Sequence, residues 1–300
     1  MTAQPEPIRP KSVLVRPRPV ADPVLRVLVI PHAGGSHAAF RRWQGHLPGR
    51  WELCLVDLPG RGRAAALPFV SSMDDAIHFL VGQVEPLLDR PLAVFGHSLG
   101  ALLGWALTRR LQQDRRPLPV WLGVSAAHPP GARAELLPLP GPGLTSALAA
   151  LGGLPPGFSD QADQAVRARI EPRVRADLSL VESWIPPVAT VDVPIAAFCG
   201  IDDRLTDPVS MADWSARTSA GFSGVHEYRG GHFYFGADPG PLLARIVADL
   251  SSTTFDPGGS TLDELRLSAG SARRSMDRDN DVPVRNGRRR RPGQHPALED

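Results

Sequence analysis

The sequence predicts an α/β fold in which a doubly wound, mainly parallel sheet lies between two layers of helices. Five short segments are almost continuously apolar, as is typical of strands buried on both faces of a parallel sheet. Amphipathic helical patterns separate these segments, and alternation of strand and helix produces right-handed crossovers. The chain has 300 residues, of which 42% are hydrophobic. That composition is sufficient for one large core.

The predicted strands are bounded by glycine, proline and charged residues. They cover residues 25–31, 52–58, 92–95, 120–125 and 194–199, and a further strand-like segment covers 225–229.

The helices between them carry recognisable start signals. An acidic first turn after Ser72 begins one helix, and residues 98–112 form a second. Asp207 and Asp238 are each followed by a proline, the usual order of a capping residue and a first-turn proline.

One long segment interrupts the alternation of strand and helix. Residues 131–190 lie between two strands, yet they contain two stretches with helical spacing of apolar residues, 144–151 and 166–181. An insertion of this size at the carboxyl edge of the sheet is typical of a lid over a binding site.

The two ends of the chain differ in composition from the rest. Residues 1–24 are rich in proline and arginine and are expected to be a flexible lead-in. Residues 254–300 form an arginine-rich tail with few apolar side chains, and we expect this tail to be disordered. The folded domain is therefore expected to span residues 25–253.

Charge and cysteine content limit the classes of partner and compartment. The formal net charge is only +2, which predicts neither a nucleic-acid nor a membrane partner. The first 20 residues contain no apolar h-region, so no signal peptide is expected, and no apolar run reaches the roughly 20 residues needed to span a membrane. Cys54 and Cys199 both lie in apolar runs, which indicates buried thiols in a reducing compartment. We therefore predict a cytoplasmic, monomeric protein without a metal site.

The pentapeptide from Gly96 to Gly100 matches the pattern G-x-S-x-G. It follows an apolar strand and opens a helix, which is the context of the nucleophile elbow in the α/β-hydrolase fold. Such a tight turn lifts the serine hydroxyl above the sheet edge at a helix N-terminus. We therefore predict this fold, with Ser98 as the nucleophile.

A serine nucleophile needs a base, and His232 has the most suitable position among the histidines. It lies between a strand-like segment and the last predicted helix. The order of nucleophile, acid and histidine along the chain is that of α/β-hydrolases. His97 lies inside the elbow and His226 inside a strand, so neither is preferred.

The acid that orients His232 should follow the strand that ends at Cys199. Asp202, Asp203 and Asp207 all lie in that loop. Asp207 has the position of a helix cap. Spacing alone leaves Asp202 and Asp203 open as partners of the histidine.

The tetrahedral oxyanion of acyl transfer needs backbone N–H donors. One should come from Leu99, directly after the nucleophile. Another should come from the glycine-containing loop after the first strand, where Ala33 is the candidate. His32 in this loop is either a brace for the site or an ordinary turn residue.

Several motifs together resemble the stand-alone type II thioesterases that accompany polyketide synthases and nonribosomal peptide synthetases. They lie at residues 31–36, 58–63, 95–100, 151–155, 175–182 and 230–233. The resemblance implies hydrolysis of acyl thioesters on the phosphopantetheine arm of acyl or peptidyl carrier protein domains, which removes aberrant or stalled acyl groups. It also implies that Asp203, the second aspartate of Gly-x-Asp-Asp, belongs to the triad. Phosphopantetheine would then be part of the substrate, and the enzyme would need no cofactor.

Two alternatives use the same sequence features. A small-molecule carboxylesterase or acyl-CoA thioesterase would share the triad but would have no carrier-protein partner, since a fold and a triad do not determine the substrate. A catalytically silent binding module would have no need of the serine, aspartate and histidine that this chain retains.

Overall fold

The computed structural model describes residues 13–131 and 164–252. Within these residues, six strands form one sheet in the order β2-β1-β3-β4-β5-β6, and each neighbouring pair is parallel. The strands are β1 (Leu25–Ile30), β2 (Trp51–Leu55), β3 (Leu92–His97), β4 (Trp121–Ser125), β5 (Ile195–Gly200) and β6 (Phe222–Tyr228). The predicted parallel α/β sheet is thus confirmed.

Helices connect the strands on both sides of the sheet. The described α-helices are α1 (Met73–Val84), α2 (Leu99–Gln113), α3 (Gln164–Glu182), α4 (Pro208–Ala212) and α5 (Gly240–Ser252). The predicted caps are confirmed where the structure shows them: the Ser72 side chain accepts from the Asp75 amide, and Asp207 caps α4 through the Val209 and Ser210 amides.

Burial explains why the strands are almost continuously apolar. Every residue of β1 to β5 is buried, whereas β6 at the sheet edge is only partly covered. One apolar cluster contains side chains of α1 and α2, and the other contains side chains of α5 and of the 3₁₀ turn His37–His46. Strands covered in this way have no polar face to alternate with.

The segment before β1 differs from the predicted flexible lead-in. Val15 pairs with Leu55 in an antiparallel bridge with N–H···O distances of 2.8 and 2.9 Å. Val13 is buried, and its amide donates to the Gln83 side chain. Residues 13–15 therefore cover the outer edge of β2, which satisfies backbone groups that an edge strand leaves open. The sequence did not predict this pairing, because the high proline and arginine content of residues 1–24 indicated an unpaired segment.

Parts of the predicted organisation lie outside the described residues. These are residues 1–12, the first helical stretch of the predicted lid (within 132–163), residue 253 and the predicted arginine-rich tail, residues 254–300. The second stretch corresponds to α3, whose Val174, Asp177 and Leu180 are buried. Across the described residues, none of the helices combines the length and apolarity needed to cross a membrane.

Candidate active site

Ser98 lies in the sharp turn between β3 and α2. Its backbone has φ 56° and ψ −121°, a conformation that non-glycine residues rarely adopt. The Ser98 amide donates to the Ser125 carbonyl of the neighbouring strand at 2.7 Å, which holds the turn in place. The side chain is partly exposed at the carboxyl edge of the sheet. Strain retained at such a point is typical of a functional residue.

The two glycines of the elbow are required by close packing of backbone on backbone. A Cβ atom on Gly96 would lie 2.0 Å from the Gly100 carbonyl oxygen. A Cβ on Gly100 would lie 2.1 Å from the carbonyl oxygen of Ile30, at the end of β1. Any side chain at either position would displace the serine turn from the sheet.

His232 and Asp203 meet across the loops that follow β6 and β5. His232 Nδ1 lies 2.9 Å from Asp203 Oδ2, and the two side chains are 4% and 0% exposed. The His232 ring also lies beside the elbow, with its centroid 5.0 Å from that of His97, the residue before Ser98. The structure therefore brings the predicted base and the predicted acid together next to the predicted nucleophile.

Asp203 is held as a carboxylate by three donors. Burial alone would raise the Asp203 pKa, but hydrogen bonds from His232, the Leu205 amide and the Thr206 hydroxyl outweigh it. The pKa of Asp203 therefore lies below its usual value. The Leu205 and Thr206 bonds are 2.9 and 2.7 Å long. An ionised and fixed Asp203 can accept the Nδ1–H of His232, which leaves Nε2 free to take a proton.

The other two aspartates of the loop have different contacts. Asp202 is exposed and accepts from the Gly230 amide at 3.3 Å. Asp207 is fully engaged in capping α4. The contact with His232 thus distinguishes Asp203 from Asp202, a choice that the spacing of residues left open.

Comparison with known proteins determines the family. The sequence profile described as "Thioesterase domain" matches residues 26–250. The chain belongs to the thioesterase family. It is a serine thioester hydrolase, and its parallel sheet flanked by helices is of the α/β-hydrolase type.

Relatives and solved structures place this thioesterase near the type II enzymes, as its motifs suggested. It is 33% identical over 215 residues to the gramicidin S biosynthesis protein GrsT of Aneurinibacillus migulanus, covering 70% of this chain and 82% of that protein. The structure of RedJ, a thioesterase from the prodiginine pathway of Streptomyces coelicolor, is 30% identical with a TM-score of 0.68, covering 77% and 90% of the two chains. YbtT, a type II thioesterase from the yersiniabactin NRPS/PKS pathway, is 26% identical with a TM-score of 0.71, covering 80% and 99%.

The two predicted oxyanion donors of the thioesterase lie just beyond the carboxyl ends of the neighbouring strands β1 and β3. Leu99 is the first residue of α2, so its N–H belongs to a helix terminus that offers no intrahelical acceptor. Ala33 lies in the loop after β1, and Ile30 of β1 is in register with Gly96 of β3. The loop and the elbow therefore leave the same sheet edge side by side. This placement suits a pair of amides aimed at one oxygen.

Two further histidine rings pack around the elbow. The His97 side chain is buried, and its Nδ1 lies 2.9 Å from the Ser125 hydroxyl, which in turn lies 2.8 Å from the Tyr234 hydroxyl. His32 packs edge-on against His97 and Phe233, with its Nδ1 buried. Burial, together with the neighbouring His232 and Arg61, lowers the pKa of His32 to about 3. A neutral His32 thus packs the oxyanion loop, residues 31–36, against His97 and Phe233.

Acidification should destabilise the enzyme through His97. Burial, with smaller effects of His232 and His32, holds the pKa of His97 well below 6.5. The folded state therefore keeps a neutral ring where the unfolded chain takes up a proton. This contribution to stability is fully present above pH 6.5 and falls by about 1.4 kcal/mol for each pH unit below it, until the folded pKa is reached.

The matched variant is His97→Asn, which cannot titrate and retains a polar atom for the Ser125 hydroxyl. Urea denaturation at pH 7 and pH 5 should show a smaller loss of unfolding free energy in this variant than in the wild type, by about 2 kcal/mol. Equal losses in the two proteins would show that His97 is protonated within the folded enzyme.

Sequence reasoning assigned no role to three charged residues that the structure buries, Asp57, Arg61 and Asp177. Asp57, after β2, accepts from the His37 amide and ring and from the Arg63 amide. Arg61 and Asp177 form a buried ion pair. The sequence did contain a sign of the role of Asp177. This residue lies three positions from both Val174 and Leu180, on the buried face of α3, and a charged residue on such a face indicates a buried partner.

Proposed function

We propose that this thioesterase hydrolyses acyl thioesters on the phosphopantetheine arm of carrier proteins and so removes aberrant or stalled acyl groups in polyketide or nonribosomal peptide biosynthesis. The observation that supports it most is the pairing of His232 with Asp203 beside the strained Ser98 elbow, in a chain of the thioesterase family. The names of the relatives support the pathway: GrsT is named for gramicidin S biosynthesis, RedJ for the prodiginine biosynthetic pathway, and YbtT for the yersiniabactin NRPS/PKS pathway.

In this proposal Ser98 Oγ attacks the thioester carbonyl while His232 Nε2 takes its proton. The amides of Leu99 and Ala33 bind the oxyanion that forms. The C–S bond then breaks, and the pantetheine thiol leaves with the proton from His232. Water, deprotonated by His232, attacks the acyl-serine and releases the acid and the free hydroxyl of Ser98. The proposal assigns no step to a metal or a cofactor.

Asp203 keeps the imidazole in the tautomer that this sequence of steps requires. It accepts from Nδ1, so the basic lone pair is on Nε2, and its negative charge stabilises the imidazolium formed during each attack. The other two hydrogen bonds to Asp203 fix the carboxylate, so that the ring does not have to be reoriented between acylation and deacylation. The monomeric state and the cytoplasmic location remain predictions.

A comparison of thiol carriers tests the substrate class. One acyl group would be presented on holo carrier protein, on coenzyme A, on N-acetylcysteamine and as a p-nitrophenyl ester. We expect kcat/KM to be at least about tenfold higher on the carrier protein than on the small thioesters, which corresponds to roughly 1.4 kcal/mol of added contact. Ser98→Ala would give the background rate for each substrate. A higher kcat/KM on coenzyme A, or on the ester, than on the carrier protein would mean that the enzyme acts on that other substrate class.

A further inference from the structure

Helix α3 reaches the loop that carries Ala33 through one buried carboxylate. Asp177 Oδ2 accepts from the Gly34 amide at 2.7 Å. Both oxygens of Asp177 also accept from the guanidinium of Arg61 in a bidentate pair. Arg61 and Asp177 are 0% and 1% exposed. One side chain of α3 is therefore bonded to two separate loops beside the active site.

A second contact from the same face of α3 fixes the same loop residue. Val174, one helical turn before Asp177, is buried against Gly34. A Cβ atom on Gly34 would lie 2.3 Å from Val174 Cγ2, and Gly34 has φ +73°. A left-handed glycine loop has wide conformational freedom of its own. Here α3 sets the position of the loop through two contacts at Gly34, an apolar contact from Val174 and a hydrogen bond to Asp177.

The bonded amide is adjacent to the predicted oxyanion donor. The Gly34 N–H belongs to the peptide that joins Ala33 to Gly34, so its bond to Asp177 fixes the plane of that peptide. The rotation that would reorient Ala33 and its N–H is thereby restricted. An oxyanion donor is effective only when its direction is set before the charge forms. An ion pair that merely attached α3 to the domain would need no bond to this amide.

Stability alone is a weak explanation for the pair. The cost of removing two charges from water often cancels their attraction, and apolar replacements of buried pairs are frequently neutral or stabilising. The buried Asp177 carboxylate of α3 is therefore better explained by the Gly34 amide that it holds in place.

We propose that Asp177, supported by Arg61, is a positioning residue for the oxyanion loop, so that the loop is aligned when α3 is seated on it. This inference rests on the proposed function, which assigns the Ala33 amide to the oxyanion. It makes α3 part of the apparatus for transition-state binding. Removal of the Asp177 acceptor should therefore lower kcat and leave substrate binding unchanged.

Two double variants test the inference with charge held constant. Arg61→Met with Asp177→Asn keeps a side-chain oxygen for the Gly34 amide, whereas Arg61→Met with Asp177→Leu has none. Asparagine leaves its NH₂ group facing methionine, and leucine leaves the Gly34 amide without an acceptor, so each double variant has an unpaired buried polar group. Activities are therefore compared per folded molecule, which removes any difference in stability between the two.

The kcat of the Leu double variant should be lower than that of the Asn double variant by between about tenfold and 10²-fold. That range does not exceed the fall in kcat that follows the loss of a whole oxyanion donor. KM should change by no more than about twofold, as for an interaction made only in the transition state. The inhibition constant of an alkyl boronic acid, which forms a tetrahedral adduct on a serine, should rise by the same factor as kcat falls.

Equal kcat values for the two double variants would overturn the inference, and so would a change confined to KM. If either double variant fails to fold, Asp177→Asn and Asp177→Ser with Arg61 intact form a second pair, because serine is too short to reach the Gly34 amide. Rates would be given per folded molecule by circular dichroism, with the same order expected. If the boronic acid did not bind to the wild-type enzyme, or if Ser98→Ala were fully active, the proposed function itself would be refuted.

Discussion

Replacement of Ser98 by alanine should abolish the formation of an acyl-enzyme and lower kcat by roughly 10⁶-fold, the scale of loss for a serine nucleophile. The fold should be retained, because the side chain is partly exposed and the turn is held through its backbone bond to Ser125. The residual rate would come from substrate binding and the oxyanion amides. Turnover of an acyl thioester, followed by release of the free thiol, measures the loss.

Thermal unfolding provides the control for this variant. Alanine adopts φ 56° no more readily than serine does, so the melting temperature should remain close to that of the wild type. Labelling with a fluorophosphonate should disappear at the same time as turnover. Hydrolysis at a rate near that of the wild type would mean that another group attacks the thioester, and the assignment of Ser98 would be wrong.

Replacement of Asp203 by asparagine should lower kcat by about 10⁴-fold. Asparagine can present its NH₂ group to Nδ1 and so favour the wrong tautomer of His232, with the proton on Nε2. The lost negative charge would also no longer stabilise the imidazolium. The Leu205 amide would keep Oδ1 as its acceptor, and the Thr206 hydroxyl can accept from the NH₂ group in place of donating to Oδ2, so the loop should keep its conformation.

The same loop contains two matched controls. Asp202→Asn alters an exposed carboxylate that contacts the Gly230 amide, and Asp207→Asn alters the cap of α4. We expect kcat to change by less than about tenfold in either variant, because neither side chain contacts His232 in the structure and surface changes are usually small. A greater loss in Asp202→Asn than in Asp203→Asn would mean that the acid is the other aspartate.

Much of the fold was predictable because the relevant signals are local. Continuous apolar runs predicted the strands, and the structure buries β1 to β5 completely. The elbow was predictable for a steric reason, since Gly96 and Gly100 are the small residues that a turn of this tightness needs. The cap at Asp207 is likewise a property of a few adjacent residues.

The choice between Asp202 and Asp203 could not be made from spacing. Adjacent residues of a turn point in different directions, and which one faces His232 depends on a loop that is 29 residues away in the chain. The resemblance to a family pointed to Asp203, and the three-dimensional contact agrees with that choice.

Contacts over long sequence separations were the least predictable. Arg61 and Asp177 are separated by 116 residues, and neither motif by itself indicates its partner. The pairing of Val15 with Leu55 was missed for a related reason, because a single bridge leaves no periodic pattern in the sequence. Such contacts arise from packing between elements, which local propensity does not encode.

The most direct test of the central claim is a single turnover of a carrier-bound acyl thioester, quenched in acid and followed by mass spectrometry. The carrier should lose the acyl mass, and the enzyme peptide that contains Ser98 should gain it before free acid accumulates. The carrier should retain its acyl group when mixed with the Ser98→Ala enzyme. Acyl mass on another residue, or release of the acyl group by Ser98→Ala at the wild-type rate, would contradict the account.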